Sequence, residues 1–318
     1  MIEYNDTLFG GIIMRKLKVL RLIKATALVT VSALTAVSLS SCIKDQGTTA
    51  NGRSGDSTAP STSGDTTNVS SALTEGKYTD GTLVYYVSGE NASVIDYIGT
   101  EKVVEIPTKI DGLLVTSIGA DAFADVSTIE KIIIPPSVTY IGDFAFSFCT
   151  GLKEIEIPET VASMGSYVFN HCTSLESCVL PNGMSNISQS LFYYCTSLKS
   201  ATLPQYINGI PKETFFMCES LTDFEIPKFV GKVETDSFYG CKSLKKLTLS
   251  ENFNYVGKTA FRGCTGLTEV DFSACTSLNI DGKAFADCTS LKKVTYPANK
   301  GGVAGDAFLN TNGIEFIG

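Results

Sequence analysis

The chain has 318 residues, 43% of them apolar and 18% charged, which makes it globular and long enough for a sizeable core. Its net charge of −8 makes it a poor partner for phosphate backbones, so nucleic-acid binding is not expected. A single histidine, His171, excludes a two-His zinc site and a paired-His di-iron bundle.

Residues 1–41 read as an address. Arg15, Lys16, Lys18, Arg21 and Lys24 form a basic stretch, Ala25 to Leu39 an uncharged apolar run, and small residues follow. That order marks a secretory signal, and the run is short of the roughly 20 residues that span a membrane. Met14-Arg15-Lys16 is its natural start. The ending Leu39-Ser40-Ser41-Cys42 resembles the lipobox of bacterial lipoproteins. The resemblance implies that Cys42 carries the lipid and becomes the mature N-terminus, held in a membrane by acyl chains. A plain secretory signal with an incidental cysteine is the alternative. Without residues 1–41 the body keeps 20 basic against 31 acidic groups, a charge of −11. Residues 42–76 are dominated by Ser, Thr, Gly, Asn and Asp from Gln46 onward and are expected to form a disordered tether, with a glycosylated stalk as the alternative.

From about residue 77 the chain is built for folding. Thr82 to Val87 and Val94 to Ile106 read as strands and are expected to cap the core over about 77–105. A repeat follows. Phe123, Phe146, Phe169, Phe192, Phe215, Phe238 and Phe261 are each 23 residues apart, with Phe285 and Phe308 continuing the column. Cys149, Cys172, Cys195, Cys218, Cys241, Cys264 and Cys288 keep the same beat. So do a leucine column from Leu152 to Leu291, a branched aliphatic column from Ile118 to Val303, and prolines from Pro135 to Pro227. Fixed spacing of this kind predicts a solenoid, in which equivalent side chains stack into one core. The segment Leu152-x-x-Ile155-x-Ile157 ends in period-2 strand pattern, and Pro158 stops it. Stacked strands predict a parallel sheet with about 4.8 Å between coils, and about eight coils give a body roughly 40 Å long. The length-based prior of about two domains gives way to one repeat domain over 77–318.

The run Ile134-Pro135-Pro136-Ser137-Val138-Thr139-Tyr140-Ile141-Gly142-Asp143-Phe144-Ala145-Phe146, closed by Cys149-Thr150-Gly151-Leu152, resembles the BspA-type, treponemal class of leucine-rich repeat. The resemblance implies a leucine-rich-repeat solenoid, a right-handed coil that is mostly β with short turns or 3-10 segments. It also implies protein–protein binding at a bacterial cell surface, including adhesion to host matrix proteins and coaggregation. Two coils depart from the pattern. The first has an extra turn at Asp111-Gly112, and the eighth an extra residue near Cys275. The final Ile314-x-x-Ile317 stops mid-strand, which leaves room for a weak C-terminal association of an otherwise monomeric chain.

An even cysteine count in a secreted chain suggests disulfides. Here one slot per coil points each ladder cysteine into the core, about 5 Å from its neighbour in parallel orientation, so the reading is a small hydrophobe with a weak S–H donor. Cys178 falls in another core slot. Cys275 falls outside the ladder and is the best candidate for a reactive thiol. No metal or cofactor is expected, because no two ladder cysteines have C-x-x-C spacing and no phosphate loop occurs. His171 next to Cys172 does not make a dyad if Cys172 faces inward, so no enzyme is expected.

Two surfaces remain. Glu130, Lys153, Glu176 and Lys199 form one charge row, and Asp223, Lys246, Glu269 and Lys293 another; both alternate in sign and are expected to pair between coils. The second surface follows the Phe column. Phe148, His171, Tyr193, Tyr194, Phe216, Met217 and Tyr239 form a candidate binding patch, since aromatics and Met are enriched at protein interfaces. Packing of these side chains between coils is the competing reading. The sequence thus supports an outward-facing, lipid-anchored envelope protein that binds a protein ligand. A glycan-capture module is the alternative, and the absence of Trp counts against it.

Overall fold

The computed structural model describes residues 75–222 and 224–318. The signal segment, Cys42, most of the tether and Asp223 lie outside the described residues.

The described residues open with three antiparallel strands, Gly76–Thr79, Leu83–Ser88 and Asn91–Tyr97. They turn Leu83, Tyr85, Val87, Ala92 and Val94 inward, into the same core as the first coil. The third runs parallel to Leu113–Ile118 and hands the solenoid its first edge. The expected single strand from Val94 to Ile106 is interrupted. After Tyr97, whose hydroxyl donates to Glu101 Oε2 at 2.6 Å, the chain turns and resumes as Val103–Glu105. The extra turn of the first coil is a hairpin. Lys109–Ile110 pairs antiparallel with Leu113–Ile118, and the two residues between, Asp111 and Gly112, have φ of 46° and 85°. An Asp-Gly pair with two positive φ values is the chemistry of a type I′ turn.

Beyond the cap the coils carry two stacks of short parallel strands where the sequence suggested one. The expected stack falls into three paired groups: Val103–Glu105, Lys131–Ile133 and Glu154–Glu156; then Ser177–Val179 and Ser200–Thr202; then Lys246–Thr248, Glu269–Asp271, Lys293–Thr295 and Glu315–Ile317. The second is made by the branched aliphatic column, in strands as short as Tyr140–Ile141 and Lys232–Val233. Successive turns close each coil between the two stacks.

The core is one continuous cluster. Phe123 to Phe308 form a stack with centroids 5.0 to 5.7 Å apart, and Tyr97 adds a further rung 5.6 Å from Phe123. The column therefore runs from the cap to the last coil and exceeds the about eight coils expected. Each ladder cysteine is buried and outside any disulfide, and its Sγ donates to the carbonyl of the Phe one coil back, at 3.0 to 3.2 Å, from Cys149–Phe123 to Cys288–Phe261. Thr311 Oγ1 makes the same bond to Phe285 O at 3.0 Å. A hydroxyl can replace the thiol there, which shows that the slot selects a small donor and not a disulfide partner.

Cys275 corrects an expectation. It is 5% exposed, and its N–H donates to Phe272 O just as Val138, Val161, Val230 and Phe253 donate to the residue three before them. It belongs to that core column, brought forward by irregular spacing in this coil. Burial pushes its thiol up to about 11, which disfavours the thiolate that attack needs.

The charge rows do pair between coils. Glu130 bridges Lys102 at 2.7 Å and Lys153 at 2.8 Å, and Glu176 meets Lys199 at 2.7 Å. Glu269 sits between Lys246 at 3.6 Å and Lys293 at 2.9 Å. Hydrogen bonds from Lys102 and Lys153 hold the Glu130 carboxyl down at about 2. These charges already have partners and are not a ligand site.

Candidate binding face

The turn that carries the Phe column also makes the candidate face. In each coil the residue two positions after the core Phe is left-handed, and its N–H donates to the next coil: His171 to Tyr193 O at 2.8 Å, Tyr194 to Phe216 O at 2.8 Å, Met217 to Tyr239 O at 2.7 Å. At the ends of the solenoid this slot holds Asp125, Gly240, Gly263, Asp287 and Asn310, residues that suit a positive φ. In the four coils between, it holds Phe148, His171, Tyr194 and Met217, with φ of 57° or 58°. Bulky side chains there cost on the order of 1 kcal/mol each in backbone strain.

Stacking offsets part of that cost. Phe148 lies 4.4 Å from His171, and His171 lies 4.8 Å from Tyr194, with planes within 14° of parallel. Met217 follows, lying so close over Gly240 that a Cβ there would collide with its sulfur. A second stack is formed one position earlier. Tyr193, Phe216 and Tyr239 are spaced 4.8 Å apart and nearly parallel, and the Arg262 guanidinium closes it 5.8 Å over the Tyr239 ring. Arg262 is itself held by Asp287 at 2.9 Å. The two stacks meet through Tyr193–Tyr194 at 5.0 Å. All seven predicted patch residues thus come together. All seven are half-buried, so they pack between coils on one side and open to solvent on the other.

Sequence reading missed Phe144 and Tyr167. They form a third stack at 4.9 Å, and Tyr167 reaches Tyr193 at 6.1 Å. Their 23-residue spacing, two positions before the core Phe, was the available signal. Phe144 and Tyr167 are also left-handed, with φ of 56° and 59°.

The imagined Cys–His dyad is not built. The Cys172 thiol turns inward to Phe146 O at 3.1 Å and is held well above the ordinary thiol range by burial. His171 Nδ1 bonds Asn170 Oδ1 at 2.7 Å within the face. Among the described residues no cluster of three His, Cys, Asp or Glu side chains could hold a metal.

Short parallel strands stacked coil on coil, with a Phe column and a Leu column inside, define a leucine-rich-repeat solenoid. Six copies of the BspA type leucine rich repeat match residues 116–239 and 208–317, and the chain belongs to that family. A solved leucine-rich repeat protein of T. pallidum is 29% identical, over 60% of this chain and 91% of that one, with a TM-score of 0.55. A leucine-rich repeat protein from Bacteroides ovatus is 21% identical, over 76% of this chain and 78% of its own, with a TM-score of 0.51, and shares the fold. No curated protein matches the chain.

Proposed function

We propose that this chain is a lipid-anchored bacterial surface protein whose solenoid binds a partner protein through its aromatic face, in adhesion to host or neighbouring-cell proteins. One observation carries the binding claim. Large side chains are kept at four consecutive left-handed positions where Asp, Asn or Gly stand elsewhere, and they form a continuous half-open band. Left-handed backbone recurs in coil after coil, so what sets these four coils apart is the run of large side chains in one slot, and a cluster of aromatic and Met side chains open on one side suits a protein interface.

The geometry favours a protein over a glycan. Sugars stack on free ring faces, and here the faces within each stack are taken by neighbouring rings. Solvent meets ring edges, a relief suited to protein side chains. The order of basic, apolar and small segments before Cys42 supports the anchor.

Two measurements test this reading. Radiolabelled palmitate fed to cells making the full chain is expected to label it, and Cys42→Ala to abolish the label; label retained on that variant contradicts the anchor. Applied to a panel of purified extracellular-matrix proteins and to a glycan array, the full chain is expected to bind members of the first. Glycan binding without protein binding overturns the proposal.

A further inference from the structure

The turn that carries the proline column has a slot two residues after the proline, or after Ser250 where serine replaces it. In three coils the slot is polar and tied back to the coil before. Ser137 Oγ donates to Thr108 O at 3.4 Å, Thr160 Oγ1 to Val138 O at 2.9 Å, and Asn252 Nδ2 to Lys228 O at 3.2 Å. Between Thr160 and Asn252 three consecutive coils break the pattern with Gly183, Tyr206 and Phe229. Tyr206 and Phe229 stack at 5.4 Å, and they are 65% and 45% exposed. Tyr206 is the most open of the large apolar side chains described.

The stack covers one face of the Tyr206 ring and leaves the other to position 183. A glycine stands there, and a Cβ built on it would meet no atom within 4 Å. Its φ lies outside the left-handed region, so the backbone does not call for glycine. Thr160 and Tyr206 are two coils apart, about 10 Å at the usual strand spacing, so the notch between them is about one ring thick. Two polar side chains flank it, each held by a backbone N–H of the next coil. Glu159 Oε2 accepts from Asn182 N–H at 3.2 Å, and Asn182 Oδ1 accepts from Gln205 N–H at 2.8 Å. The other ends of these two groups complement each other: Asn182 Nδ2 offers donors and Glu159 Oε1 offers lone pairs.

An uncovered aromatic face, a space one ring thick, and a fixed donor and acceptor beside it match the chemistry of a pyranose. Its C–H face is drawn to the negative face of an aromatic ring, and its neighbouring hydroxyls both accept from an amide and donate to a carboxylate. The Glu159 charge repels acidic sugars. We propose that the notch at Gly183 is a second binding site, on a different turn from the aromatic face, which takes one neutral pyranose residue of a glycan, stacked on Tyr206 and hydrogen-bonded to Asn182 and Glu159.

The test applies the full chain to an array of neutral oligosaccharides of glucose, mannose, galactose and N-acetylglucosamine, set beside sialylated and sulfated counterparts. Binding to neutral members over acidic ones is expected. Gly183→Leu fills the notch from an exposed position, and binding to the same oligosaccharides should fall at least tenfold with the thermal midpoint unchanged. Tyr206→Ser is expected to do the same by removing the platform, and Asn182→Ala to weaken binding severalfold. Binding of Gly183→Leu to matrix proteins should equal wild type, so this site and the aromatic face stand or fall separately. An array that binds nothing, a preference for the acidic members, or equal binding by Gly183→Leu overturns the proposal. So does glycan binding that is lost in Phe148→Asp with Tyr194→Asn and kept in Gly183→Leu, which would place the sugar on the aromatic face.

Discussion

Phe192→Ala is expected to cost about 3–5 kcal/mol, the range for emptying a buried aromatic site. The ring is fully buried and lies 5.4 Å from both Phe169 and Phe215. The space cannot close by collapse. The Phe192 carbonyl accepts the Cys218 thiol and its N–H donates to Thr214 O at 2.9 Å, both on the following coil, while on the preceding coil Phe169 N–H donates to Leu191 O at 3.0 Å and its carbonyl accepts the Cys195 thiol, so both neighbouring coils are held at a fixed distance. In a solenoid each coil is stabilised only by itself and its two neighbours, so a weak central rung divides the body into two shorter stacks. Unfolding by urea, followed by circular dichroism, should therefore show a lower midpoint and a broader transition. Phe308→Ala is the internal comparison. That ring is half-buried and has a core Phe on one side only, so its loss is expected to be the smaller of the two. Equal losses at the two positions, or a loss below about 1 kcal/mol at Phe192, would contradict the stacked core.

The second large effect is chemical. Folded protein at pH 8 is expected to leave all nine cysteines of the described residues unreacted with Ellman's reagent, and the same protein in denaturant to release nine thiols rapidly. Attack needs thiolate. Burial pushes Cys178 and Cys288 up to about 12 and Cys275 up to about 11. At pH 8 a thiol titrating near 11 is thiolate only about one part in a thousand, before access is considered. A fast-reacting thiol in the folded protein would expose an open slot. Fewer than nine thiols in non-reducing denaturant would mean disulfides, which the repeated S–H to carbonyl bonds argue against.

The fold was largely readable because its physics is periodic. Phe123 to Phe308 repeat at one depth, and no other arrangement puts equal spacing to such use. The Asp111-Gly112 hairpin was readable as an extra turn, since only a few residue pairs accept two positive φ values. The second strand stack was seen as a column of core residues and not as strands, because two residues such as Ser163–Met164 are too few to show an alternation. Cys275 was misplaced for a related reason. Its coil shifts the turn by one residue, so counting by 23 loses a core position that backbone bonding recovers. The aromatic face was found by spacing, but its stacking, its half-open state and its left-handed backbone were not.

The central claim is that large side chains at the left-handed slot serve binding and not folding. Its most direct test is the paired variant Phe148→Asp with Tyr194→Asn, which places there the residue types that Asp125 and Asn310 supply in other coils. Affinity for the matrix protein identified in the panel is measured by calorimetry, with thermal unfolding recorded alongside. The account predicts that binding falls at least tenfold while the midpoint stays within a few degrees of wild type, because relief of backbone strain offsets the lost stacking. Unchanged binding by the folded variant, or a collapse in stability with the loss of the rings, would contradict it.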